Sequence, residues 1–60
     1  MRYFRNTKDL LLPKGDSLFE IEEQSLWKLI GDELVLYDDD FYMAIPLKLH
    51  ELDFKEVLPP

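Results

Sequence analysis

The chain predicts a mainly β fold: a small antiparallel meander of five or six short strands, curled into a barrel-like sheet, with a short helical turn near residues 47–52. Three observations carry this. Ser25 to Pro46 reads as three short strands joined by two tight turns, and Trp27, Leu29, Leu34, Leu36, Met43 and Ile45 then share one face. Gly31-Asp32 has the form of a two-residue hairpin turn. Phe19 and Ile21 alternate with Glu20 and Glu22, the period of a half-buried strand.

The first strand is expected at Arg2 to Asn6, where Tyr3 and Phe4 favour extended backbone. Asn6 to Asp9 is a turn cluster. Leu10-Leu11-Leu12 is too short for periodicity to decide its state. Pro13 to Ser17 then punctuates the chain. A three-residue loop at Glu23-Gln24-Ser25 would pair Ile21 with Trp27 and Phe19 with Leu29, and would set Glu20 opposite Lys28.

Glycine at the first central position of Gly31-Asp32 suits a type II′ turn. That turn pairs Ile30 with Glu33, Leu29 with Leu34 and Trp27 with Leu36. A two-residue loop at Asp39-Asp40 sets Leu36 opposite Met43 and Leu34 opposite Ile45. A three-residue loop would instead oppose Tyr37 and Phe41, so the choice decides which face is apolar. Pro46 ends the strand and is a natural first residue for a helical turn. The rival fold is α+β. Ser17-Leu18-Phe19-Glu20 has the capping-box form, and Gly31 would close a helix over 17–30.

Sixty residues make a single domain, 1–60, with a core too small to be generous. The chain has no cysteine and one histidine, so disulfide, thiolate and multi-histidine metal sites are not expected, and no cofactor is. The 47% apolar content includes eight aromatics, more than so small a core can use, which points to self-association. No apolar run reaches the ~20 residues that span a bilayer, and the N-terminal segment lacks the apolar stretch of a signal peptide. The expectation is a cytoplasmic protein without membrane contact.

The formal charge of −6 is uneven. Residues 1–14 hold Arg2, Arg5, Lys8 and Lys14 against Asp9, for +3. Residues 15–60 hold three basic and twelve acidic residues, for −9. An acidic body repels phosphate backbones, so direct nucleic-acid binding is not expected. A basic stripe with Tyr3 and Phe4 as stacking platforms is the competing possibility. Charges that protect an edge strand explain the same residues more simply.

No residues supply catalytic parts. His50-Glu51 has no nucleophile elbow or glycine-rich loop to serve, and a surface histidine accounts for it. Asp38-Asp39-Asp40 offers hard oxygen ligands but lacks a loop to converge them on a cation, and a solvated turn fits better. The chain is therefore read as a non-enzyme.

Two surfaces remain. Val35, Tyr37 and Tyr42 fall on the second face of the hairpins and, with Phe41, form a candidate interface. Glu20, Glu22, Glu23, Asp38, Asp39 and Asp40 form a candidate acidic contact surface. The first implies a protein-interaction module that binds itself or a protein partner. The second implies an acidic inhibitor or nucleic-acid mimic that occupies a basic enzyme. The Tyr3-Phe4-Arg5-Asn6 start, the meander and the lone Trp27 are similar in general look to short orphan proteins of bacterial phages and other mobile elements. None of these features is a motif, and the resemblance carries over no site residues.

Overall fold

A computed structural model describes residues 1–60. The chain forms seven strands: β1 (Tyr3–Asn6), β2 (Leu10–Lys14), β3 (Ser17–Ile21), β4 (Leu26–Ile30), β5 (Glu33–Leu36), β6 (Ala44–Pro46) and β7 (Phe54–Val57). Between β6 and β7, helix α1 (Leu47–His50) runs into a 3-10 turn at Glu51–Asp53. Five strands make one antiparallel sheet in the order β6-β5-β4-β1-β7, and β2 and β3 make a separate hairpin. The fold is thus mainly β with a short C-terminal helix. It has seven strands rather than five or six, and the sheet is open rather than closed into a barrel.

Both tight hairpins use the same dipeptide. Gly15-Asp16 joins β2 to β3, and Gly31-Asp32 joins β4 to β5, with φ of +63° and +61° at the glycines. A side chain at either position would strain the backbone, because left-handed φ brings a Cβ against the following carbonyl. The β4–β5 register places Ile30 opposite Glu33, Leu29 opposite Leu34 and Trp27 opposite Leu36, as the turn chemistry predicts. Leu34 pairs with Ile45, and the Leu36 amide donates to the Met43 carbonyl at 2.9 Å, so the second register also holds. The connection is longer than two residues, however. Residues 37–43 leave the ladder, and the Asp38 carboxylate caps the turn by accepting from the amides of Asp40 (2.8 Å) and Phe41 (3.2 Å).

The expected pairing of Ile21 with Trp27 and Phe19 with Leu29 does not form. Leu10 pairs with Ile21 and Leu12 with Phe19, while Trp27 pairs with Phe4. Glu20 accordingly lies opposite Leu11, not Lys28. Pro13 is no obstacle to β2. Residues flanking a two-residue turn exchange the ladder bonds, so Pro13 and Leu18 form the next, non-bonded pair, where a missing N–H is harmless. Pro46 sits equally well on the free side of edge strand β6. The alternative helix over 17–30 is replaced by β3 and β4. Phe19, Ile21 and Trp27 would not share a helix face, whereas extended backbone turns all three inward.

The hairpin folds over one face of the five-stranded sheet. Leu10, Leu12 and Ile21 from the hairpin meet Phe4, Trp27, Leu34, Met43, Ile45 and Phe54 from the sheet and its flanking segments. The Trp27 ring stands edge-on to Phe54, with centroids 5.3 Å apart. Phe4 is buried here, so it offers no stacking platform, and β1 is an interior strand rather than a charged edge. No helix is long and apolar enough to cross a membrane.

Asn6 is the one buried polar residue, wholly shielded from solvent. Its Nδ2 donates to the carbonyls of Lys8 (3.0 Å) and Glu22 (2.8 Å), and its Oδ1 accepts from the Trp27 indole at 3.2 Å. Its own carbonyl accepts from the Gln24 amide at 2.7 Å. Each buried group left unpaired costs about 1–3 kcal/mol, against roughly 3–9 kcal/mol for a whole domain of this size. Asn6→Ala is therefore expected to lower stability by about 2 kcal/mol or more. Urea titration of Trp27 emission measures this, and a loss below about 0.5 kcal/mol would refute the role given to the amide.

Candidate functional site

Strand pairing orders the outer face of the sheet, the face away from the hairpin. Tyr3, Lys28, Val35 and Ala44 stand side by side across β1, β4, β5 and β6. Tyr37, whose amide donates to the Leu26 carbonyl at 2.9 Å, extends the same face by one pair. Tyr3 and Tyr37 meet edge to face with centroids 6.1 Å apart, and the Lys28 ammonium lies 5.7 Å from the Tyr37 ring centre. Val35 is buried beneath this cluster, while Tyr37 is 54% and Tyr42 63% exposed. Lys28, Ile30, Val35, Tyr37, Asp39 and Tyr42 all line one hollow of about 590 Å³. Three of the four predicted interface residues thus come together.

Phe41 lies apart from them. It turns toward the hairpin and tilts against Phe19, with centroids 4.8 Å apart. Lys14 reaches the same loop, placing its ammonium 4.7 Å above Phe41 and donating to the Tyr42 carbonyl. The aromatic loop therefore already holds one cation of its own chain.

Between β3 and the 37–41 segment runs a second groove, of about 440 Å³. Its apolar part is Phe19, Ile21, Leu26, Leu36 and Phe41, and its carboxylates are Glu20, Glu22 and Asp38. No basic residue lines it. This groove gathers three of the six predicted acidic contacts. Asp39 lines the outer hollow instead. The Glu23 amide is held by the Asp9 carboxylate at 2.8 Å, and Asp40 follows the cap made by Asp38. The acidic residues are thus not one continuous surface.

The groove's apolar members could not be paired from the sequence. Phe19 and Phe41 meet only because the 37–43 loop folds back on β3, which itself pairs with Leu10–Lys14. His50 is half-buried on α1. No group of three or more His, Asp or Glu side chains is placed to hold a metal ion.

The basic N-terminal segment pairs with acids of its own chain. Lys8 meets Asp53 at 3.2 Å. Arg2 grips Glu56 with two bonds, Nε to Oε2 at 3.0 Å and Nη2 to Oε1 at 2.9 Å. Arg5 donates to the Gln24 carbonyl. Comparison with family models, with curated proteins and with solved structures finds no match to this chain.

The hydrogen bonds from Arg2 hold the Glu56 carboxyl below the ordinary glutamate range. A depressed folded-state pKa adds stability above the unfolded value, and that stability is lost as pH falls through the folded one. A carboxyl-detected NMR titration is expected to place Glu56 below ordinary glutamate, and Arg2→Ala to return it there. An unchanged Glu56 midpoint in the variant would show that the pair does not persist in solution.

Proposed function

We propose that this chain is a small, non-catalytic protein-interaction module of the cytoplasm that associates with a second copy of itself. The observation that carries the reading is the outer hollow, where Ile30, Tyr37 and Tyr42 stand exposed around buried Val35. Tyrosines around an apolar floor are the usual composition of an interface centre. The hollow also holds both signs of charge, Lys28 against Glu33, Asp38 and Asp39. A two-fold contact sets each patch against its own copy, so a patch of mixed sign can match itself.

Sedimentation equilibrium tests this. The wild type is expected to dimerise at micromolar concentration, and Tyr37→Ser with Tyr42→Ser to weaken the dimer at least tenfold, with Trp27 emission unchanged. A wild type that stays monomeric at hundreds of micromolar would discard self-association.

A second reading is an acidic binder that occupies a basic partner enzyme. The groove supports it, because Glu20, Glu22 and Asp38 line it and no basic residue does. Binding of a basic partner through this surface is expected to weaken at least tenfold between 50 and 500 mM salt. A complex indifferent to salt would remove this reading.

A further inference from the structure

Deepening the second reading, we infer that the groove between β3 and the 37–41 segment is a docking site for an arginine-bearing extended segment of a partner protein. The argument is one of matched parts. An arginine has an aliphatic stem and a planar cation, and it buries the first while keeping the second at a polar rim. The groove offers the same division. Phe19, Phe41, Leu36 and Ile21 give an apolar floor for the stem, and Glu20, Glu22 and Asp38 give carboxylates for the guanidinium.

Charge complementarity selects the occupant. The lining contains three carboxylates and no base, so a phosphate or an acidic peptide is repelled. Asp38 keeps a carboxylate oxygen free, because one oxygen alone, Oδ1, accepts both turn amides. A carboxylate with a free oxygen can accept a charge-assisted bond from a guanidinium. The chain shows the chemistry on itself. Lys14 sets its ammonium over the Phe41 ring, so this loop accepts a cation on an aromatic face.

Extended backbone is the natural form of the partner. Tyr37 and Leu26 line the groove beside the sheet, while Glu20 lies on β3 and Glu22 directly follows its last residue. A segment laid along β3 and its exit therefore passes two acidic residues in succession.

The probe is a synthetic peptide, acetyl-Gly-Leu-Arg-Leu-Gly-amide, with a twin carrying neutral citrulline in place of arginine. Amide and methyl NMR of the full chain reads the site. The arginine peptide is expected to shift Phe19, Ile21, Ser25, Leu26 and Tyr37, and to bind at least tenfold more tightly than the citrulline twin. Glu20→Gln, Glu22→Gln and Asp38→Asn together are expected to abolish that preference. Asparagine at 38 keeps the acceptor for the turn, so the variant folds, and its Trp27 emission verifies that. Equal binding of the two peptides, or an unaltered preference in the triple variant, would overturn the inference. Shifts confined to other acidic residues would refute the groove while leaving an acidic binder standing. No binding of the arginine peptide at 50 mM salt would remove both.

Discussion

One buried amide organises this molecule. The Asn6 side chain lies where β1 ends, and it reaches three other parts of the chain: Lys8 in the loop that follows, Glu22 at the end of β3, and the indole of Trp27 on β4. An indole N–H cannot be buried without an acceptor, and the largest core residue needs to be buried. Asn6 resolves that conflict. It also ties the hairpin to the sheet through its two donors, at a place where no ladder joins them. A leucine there would satisfy the core and orphan the indole. An aspartate would accept from the indole and face two carbonyls it cannot donate to. Asparagine meets all the demands with one acceptor and two donors.

The rest of the architecture follows from that junction. With Trp27 fixed on β4 and β1 beside it, the hairpin must fold over the same face, and its inward residues Leu10, Leu12, Ile21 and Phe19 close the core. A single covering layer leaves the opposite face of the sheet in solvent. The outer tyrosine cluster is a result of that one-sided cover. The groove is a second result, since a short hairpin meets the long 37–43 loop without filling the space beside it.

Much of this was legible in the sequence wherever the determining chemistry is local. Gly31-Asp32 fixes its own turn, and the turn fixes the β4–β5 register. Period two fixes which side of each strand is apolar. The opposite placement of Tyr37 and Val35 from Trp27 and Leu34 follows from these alone. What failed was strand partnership. Ile21 and Trp27 are close in sequence and both apolar, yet each pairs elsewhere, because Gly15-Asp16 had already committed β3 to β2. Gln24, with φ of +67°, turns the chain out of the hairpin that proximity favoured. Asn6 looked like turn punctuation because its role depends on residues sixteen and twenty-one positions away. The groove was hidden for the same reason: its walls belong to segments that no local rule brings together.

The sheet order β6-β5-β4-β1-β7 places the first strand between a middle strand and the last one. Residues 54–57 are therefore needed to finish a surface that residues 3–6 begin. During synthesis, β1 emerges well before its second neighbour, which cannot pair until residues 54–57 have left the ribosome. Until then one side of β1, including the backbone groups of Tyr3 and Arg5, faces water or any extended peptide that comes near. Long-range closure of this kind slows folding and exposes the nascent chain to wrong partners. Delayed closure during folding, rather than weakness in the finished sheet, is the cost of pairing strands so far apart along the chain.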